Sequence, residues 1–400
     1  MKSKTNTAQE EPDYRELALK AKQSRQSLDT LDDAHRVPLT RAISNVLTTE
    51  IAETTYAQII DGLPLASVAD DTPGGILSPA HPINRHKTLC PGALDKTRLF
   101  RAEFDPGSLR FDASLLSAYQ ATTSGSAAFG TRLIEMVAIA VHQIAAVLFQ
   151  LEASGHKDDG VTDWAPRSDD ELWWRINPDG PLPTLFCHSW YVDYEQYPDG
   201  VADVVGYWAE NRILGGVVLF DRNDPVKAEE EERKDEEESD DDYDLPPHQA
   251  DPNAVYLHPE RGGNVPYRIC KLLDNQKEQL LAFLLAAEDM SDNDSSYSCP
   301  LPILVGGQNT ERVDPEEPIH LTGIYRDEWE RNLQPEYMGD NRSRDVFSLG
   351  DWVSFAEWNH SRERWMTRFR RYPEWIQRQW EGRVRYDHSD EDDEIDETST

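Results

Sequence analysis

Residues 185–222, LFCHSWYVDYEQYPDGVADVVGYWAENRILGGVVLFDR, constrain the fold of this chain more than any other stretch. They join a dense run of aromatic and β-branched residues to well-placed turn formers. The pattern predicts three consecutive antiparallel strands. Tyr197, Pro198, Asp199 and Gly200 supply the first turn, and Asn211 a tighter second one. Both faces of the segment from Ile213 to Phe220 are apolar: Ile213, Val217 and Leu219 alternate with Leu214, Val218 and Phe220. That predicts a central strand covered on two sides.

The 400-residue length allows one large or two smaller globular units with tails. The formal charge is −35, of which Glu229–Asp244 and Asp387–Glu397 together contribute −18. Such dense like charge resists compaction, so both stretches are expected to be disordered, the first as a surface insertion at 227–247. An acidic chain repels nucleic acid on average, and any footprint for it must be a local basic patch. Cys90, Cys187, Cys270 and Cys299 form no C-x-x-C pair, which points to reduced thiols and away from a zinc ribbon or disulfide framework. No secretory signal is visible, so nuclear or cytoplasmic residence is expected and secretion is not. The sequons at Asn293, Asn341 and Asn359 are accordingly read as chance matches.

Five regions are expected: a mobile tail at 1–35, a helical region at 36–160, a β-rich core at 161–330, an aromatic and arginine-rich helical region at 331–386, and an acidic tail at 387–400. Pro38 fits the first turn of a helix running to about Ile60. Residues 62–91 are rich in Pro and Gly and read as a long connection. Asp112–Tyr119 suggests a short helix. Ser126 caps a longer one from Ala127 to about Ala153, apolar around most of its circumference and hence a buried core helix rather than a membrane span. Strands are expected near Ala254–Leu257 and Tyr267–Lys271, with an Asn275–Glu278 capping box opening a helix to Ala287. The fold class is therefore α+β: an antiparallel meander or partial β-barrel packed by several helices.

Near the carboxy terminus, Phe355, Trp358, Trp365, Phe369 and Tyr372 form an aromatic stripe, with Arg364, Arg368 and Arg371 on a neighbouring face. Residues 361–386 hold eight arginines and three glutamates, a basic island suited to phosphate and exposed bases. A helix docked on the core by its aromatic stripe is the plainer reading. In the 185–222 run, His188, Asp193, Asp203 and Glu210 are the residues for a pocket against the 127–153 helix. His188 and Asp193 are an odd number apart and so point to opposite faces of one strand, which favours a structural histidine. His142 and Gln143 interrupt the apolar helix, and a core hydrogen bond is their expected role. Gly215 and Gly216 lie outside any phosphate-loop context and read as close backbone packing within a strand. Neither metal nor cofactor is expected, since no ligand spacing matches a known motif.

The run from Tyr191 to Arg222 resembles a family of filamentous-fungal proteins to which no activity is assigned. The YPDG turn, the GYWAE segment and the GGVVLFD strand carry the likeness, with later matches at Leu280–Leu285, Cys299–Ile303 and Ile324–Arg326. The resemblance covers about residues 160–330 and implies an accessory factor in regulation or colony development. It brings no catalytic residues. A small barrel of the PUA-like, RNA-binding kind is compatible with it at the level of fold.

Together these features predict an intracellular, non-enzymatic regulatory or interaction protein. A protein partner is expected, RNA is the candidate nucleic-acid partner, and Arg364, Trp365, Arg368 and Arg371 are its contacts. The alternative is an enzyme or small-molecule binder using the pocket of His188, Asp193, Asp203 and Glu210.

Overall fold

The computed structural model describes residues 13–69, 80–151, 156, 159–176, 180–223, 250–260, 268–287, 299–313, 315 and 319–331. All of them belong to one compact unit. The acidic insertion, the sequons and the region beyond residue 331, with Arg364, Trp365, Arg368 and Arg371, lie outside the described residues.

The helices are α1 (Tyr14–Ser24), α2 (Asp33–Leu47), α3 (Glu50–Asp61), α4 (Ala66–Ala69), α5 (Ala93–Glu103) and α6 (Ala113–Gln120). They continue with α7 (Ala127–Gln150), α8 (Glu171–Ile176), α9 (Val201–Leu214), α10 (Asp274–Leu285) and α11 (Ile319–Thr322). A small sheet pairs β1 (Arg25–Ser27) with β2 (Arg110–Asp112). The main sheet contains β3 (Val217–Asp221), β4 (Val255–His258), β5 (Ile269–Lys271), β6 (Arg312–Val313) and β7 (Ile324–Tyr325). Its order is β6-β5-β4-β3-β7, every pair is antiparallel, and it curls into a half-barrel. The protein is thus α+β, with a meander from β3 to β6 and β7 added on the far side of β3.

The meander lies further along the chain than the sequence pattern placed it. Of the three strands expected within 185–222, only the last forms, as β3. Residues 185–199 are irregular apart from a 3-10 turn at Tyr194–Gln196, and Val201–Leu214 is helical. A turn does form at Tyr197–Gly200, closed by the Gly200 N–H on the Tyr197 carbonyl at 3.3 Å, but it opens a helix instead of a hairpin. The cause is burial on all sides. Val204, Val205, Trp208, Ala209, Ile213 and Leu214 bring apolar contacts to most of α9, and its polar residues are buried too, so no solvent-facing side marks its period.

Asn211 sits inside this helix rather than in a turn. Gly215 is the helix's left-handed C-cap, at φ 102°. It lies between α9 and β3, not inside a strand, while the expected close backbone approach is present: a Cβ at Gly215 would come within 2.0 Å of the Ile303 carbonyl oxygen.

Two further boundaries move for capping reasons. The helix expected from Pro38 to Ile60 is two: Asp32 caps α2 through the His35 N–H, and Thr49 caps α3 through the Ala52 N–H. Helix α10 starts at Asp274, where the Gln276 carboxamide oxygen accepts the Leu273 N–H at 3.0 Å, so the box is not formed by Asn275 and Glu278. From residue 14 onward, the expected N-terminal tail carries α1, β1 and a 3-10 turn. Lys22 and Arg25 bind both carboxylate oxygens of Asp199, at 2.8 and 2.6 Å.

β3 organises the interior. Val218 and Phe220 join the large core built on α2, α3, α7 and α9, whereas Val217 and Leu219 join a second cluster with Tyr191, Tyr197, Val204, Tyr207 and Tyr256. Helix α7 runs through the large core, its Ser126 cap accepting the Phe129 N–H at 3.1 Å. Among the described residues it is the one helix long and apolar enough to cross a membrane, and it is mostly buried here. Helix α9 supplies residues to both clusters and so faces both sides of the sheet.

Candidate functional site

Helical geometry puts Asp203, Gly206, Tyr207 and Glu210 on one face of α9, at intervals of three and four residues. That face meets His142 of α7. Gly206 makes the approach feasible, because a Cβ there would lie 2.4 Å from the imidazole. His142 Nε2 is 3.0 Å from Asp203 Oδ1, and Nδ1 is 2.8 Å from Glu210 Oε1. Carboxylates only accept, so both ring nitrogens donate and the ring is an imidazolium. Burial alone works to lower the pKa of His142; the hydrogen bonds to Asp203 and Glu210 outweigh it and leave the pKa raised.

The network extends to the sheet. Arg326, just after β7, binds Glu210 Oε2 at 2.7 Å and places its guanidinium 5.4 Å from the centre of the Tyr207 ring. Its own backbone N–H donates to Glu330 at 3.0 Å. Burial pushes the Glu330 carboxyl up to about 7 against the opposing pull of Arg331. At the other end, the Asp199 N–H donates to Asp203 Oδ2 at 2.6 Å. His142, Asp203, Glu210 and Arg326 therefore form a buried quartet of two cations and two anions.

His188 belongs to a separate group. It is fully buried, its Nε2 donates to the His258 carbonyl at 3.2 Å, and its Nδ1 accepts the Trp190 N–H at 3.3 Å. That tautomer is neutral, in keeping with burial, which pushes its pKa down to about 3. The Tyr191 hydroxyl meets His258 Nδ1 at 3.0 Å. Glu260 accepts the Ser189 N–H at 2.9 Å, while Asn211 donates to the Glu260 carbonyl at 2.7 Å and accepts its N–H at 2.9 Å. Stacked Tyr191 and Tyr207, with centroids 4.5 Å apart, link the two histidine groups.

Of the four residues read from sequence as a pocket, Asp203 and Glu210 come together, on His142. His188 sits in the second group, and it shares no strand with Asp193, which precedes the 3-10 turn at 194–196. A surface groove of about 620 Å³ is lined elsewhere, by Leu28, Arg36, Val37, Arg41 and Asp105 among others.

A third cluster escaped the sequence reading. The carboxylate of Asp61 at the end of α3, the thiol of Cys90 ahead of α5 and the imidazole of His156 place ligand atoms within 4.8 Å of one another. Cys90 Sγ is 3.2 Å from His156 Nε2, and His86 Nε2 is 3.2 Å from Asp61 Oδ2. Asp159 Oδ2 holds His156 Nδ1 at 2.7 Å, and the Cys90 N–H donates to Asp61 Oδ2 at 3.0 Å. Burial, joined by the Asp61 carboxylate, pushes the Cys90 thiol up. Among the described residues, Asp61, Cys90 and His156 are the set with the donor chemistry and spacing to hold a metal ion. Its members are scattered along the chain at no motif spacing, and that concealed it.

Comparison with known proteins returns no matching family model, curated protein or solved structure.

Proposed function

We propose that this chain works by binding a macromolecule rather than by catalysis, as an intracellular regulatory or interaction protein whose partner is RNA. The observation that supports this best is the closed arrangement of the quartet. Asp203 and Glu210, the carboxylates an enzyme would present to a substrate, are engaged by His142, Arg326 and backbone N–H groups inside the core. His188 is likewise enclosed by Tyr191 and His258. Interactions of this kind make a rigid platform.

Recognition is then assigned to the charged segments. The basic island at 361–386 stands out against a chain of formal charge −35, and its interleaved Trp and Tyr suit stacking on unpaired bases. The resemblance to fungal accessory factors agrees with such a role.

The test is retention of single-stranded RNA by the full chain, by a chain ending at Asn359, and by the R364E/R368E/R371E variant. Binding by the full chain should weaken with salt, and both altered proteins should lose it. Loss of three phosphate contacts corresponds to a change of about two in the log–log salt slope. Unchanged, salt-insensitive RNA binding by the triple variant overturns the assignment, as does background binding by all three proteins.

A further inference from the structure

We propose that Asp61, Cys90 and His156 form a site for a divalent transition-metal ion, zinc in the first place. One carboxylate, one thiolate and one imidazole are a donor set that zinc accepts, and their charges neutralise a dication.

The three ligand atoms lie close enough to share one ion, all within 4.8 Å of one another. With Zn–N and Zn–O bonds near 2.0–2.1 Å and Zn–S near 2.3 Å, the edges of a tetrahedron are about 3.3–3.6 Å. The observed separations are 3.2 Å from Cys90 Sγ to His156 Nε2 and 3.9 Å from His156 Nε2 to Asp61 Oδ1. The side chains of Asp61 and His86 are 1% and 8% exposed. His86 Nε2 is buried beside the site and lies 3.2 Å from the second carboxylate oxygen, Asp61 Oδ2.

The supporting shell is also in place. Metal-bound histidines commonly donate their second nitrogen to a carboxylate, and His156 Nδ1 has Asp159 Oδ2 at 2.7 Å. Asp61 is oriented by the Cys90 N–H.

A Cys–His pair backed by a carboxylate also resembles a nucleophile and its base. Two observations favour the metal. A reactive thiolate needs electropositive surroundings, and here Asp61 adjoins the thiol. The Cys90 N–H, a natural donor to an oxyanion, is committed to Asp61 Oδ2.

Three protein ligands leave the fourth position of a tetrahedron to water or a further ligand. Nearby, Leu63, Ala69 and Ile83 form a small apolar cluster, with Val161 and Leu185 against it. Ions commonly reinforce parts of a chain with so little core.

The experiment is a Co²⁺ titration of the chelator-treated full chain, followed by its absorption spectrum. One equivalent should produce tetrahedral d–d bands and a thiolate-to-cobalt charge-transfer band, with Zn²⁺ displacing the cobalt. C90S should lose the charge-transfer band and C299S should keep it, while D159N should keep the band with affinity about 10–100-fold weaker. Circular dichroism establishes that each variant is folded, and the wild-type titration stands whether or not C90S folds. Absence of a saturable spectrum in folded wild-type protein overturns the proposal, as does a charge-transfer band that survives C90S. Rapid alkylation of Cys90 at the same rate with and without metal overturns it in favour of the nucleophile.

Discussion

His142 Nδ1 lies 2.8 Å from Glu210 Oε1, and this contact ties the middle of α7 to the third turn of α9. Arg326 holds the other oxygen of the same carboxylate, so a single side chain joins two helices to the edge of β7. Removing one partner from a buried charge cluster leaves the others uncompensated, at a cost of about 3–5 kcal/mol. Glu210→Gln, which keeps the volume, should therefore lower the unfolding free energy by that amount in urea titrations. A loss under about 1 kcal/mol would mean that the quartet is not a unit.

The two histidine groups should shape opposite limbs of the pH–stability curve. The pKa of His142 is raised in the folded state, so its contribution is complete below its unfolded value of about 6.5 and is lost as pH rises through the folded value. The stability gap between wild type and His142→Gln should accordingly be larger at pH 6 than at pH 9. A gap that widens with rising pH contradicts the imidazolium assignment.

His188 has the reverse sign. Its folded pKa is pushed down to about 3, so folding requires the neutral ring, and stability falls as pH drops from about 6.5 toward that value. One proton taken up on unfolding gives a slope of about 1.4 kcal/mol per pH unit. His188→Gln should remove that slope from the acid limb, as read from unfolding midpoints between pH 6.5 and pH 4.

Gly206 sits in the interior of α9, where alanine would normally gain about 1 kcal/mol of helix propensity. A methyl group here would meet the His142 ring at 2.4 Å. Overpacking of this kind costs about 1–3 kcal/mol, and the ring cannot retreat without leaving both carboxylates. Gly206→Ala should lower the melting temperature; an increase would show that α7 and α9 cross more loosely.

Asn211 and Glu260 exchange two hydrogen bonds between the side chain of one and the backbone of the other. Asn211→Ala leaves a buried N–H and carbonyl without these partners and should cost about 1–3 kcal/mol in denaturant titrations. Glu195→Ala, at an exposed position in the same sequence run, should stay within about 0.5 kcal/mol.

The contrast between Asn211 and Glu195 also shows what a sequence of this kind conceals. Helix α7 was legible from Ser126 and the apolar run behind it, and β3 from apolar residues on both its faces. Helix α9 was not, because a helix enclosed on every side displays the same aromatic and β-branched residues as a buried strand. Its period is written only in the face of Asp203, Gly206, Tyr207 and Glu210 that meets His142. Reading them as strand residues singled out Asp203 and Glu210 but denied them a common partner. His142 was visible as a polar interruption of α7, but no local pattern connects it to a carboxylate far along the chain. The Asp61, His86, Cys90 and His156 cluster is a product of tertiary folding alone.

The position of Arg326 has a consequence for synthesis. β3 emerges from the ribosome with α7 and α9 already made, yet its second neighbour β7 and the guanidinium that neutralises Glu210 arrive after the acidic insertion, β4, β5, β6 and α10. A nascent chain that stops short of residue 326 holds β3 with one edge bare and a core carboxylate lacking this cation. The sheet and the charge balance of the core are thus both completed by residues at the far end of the unit.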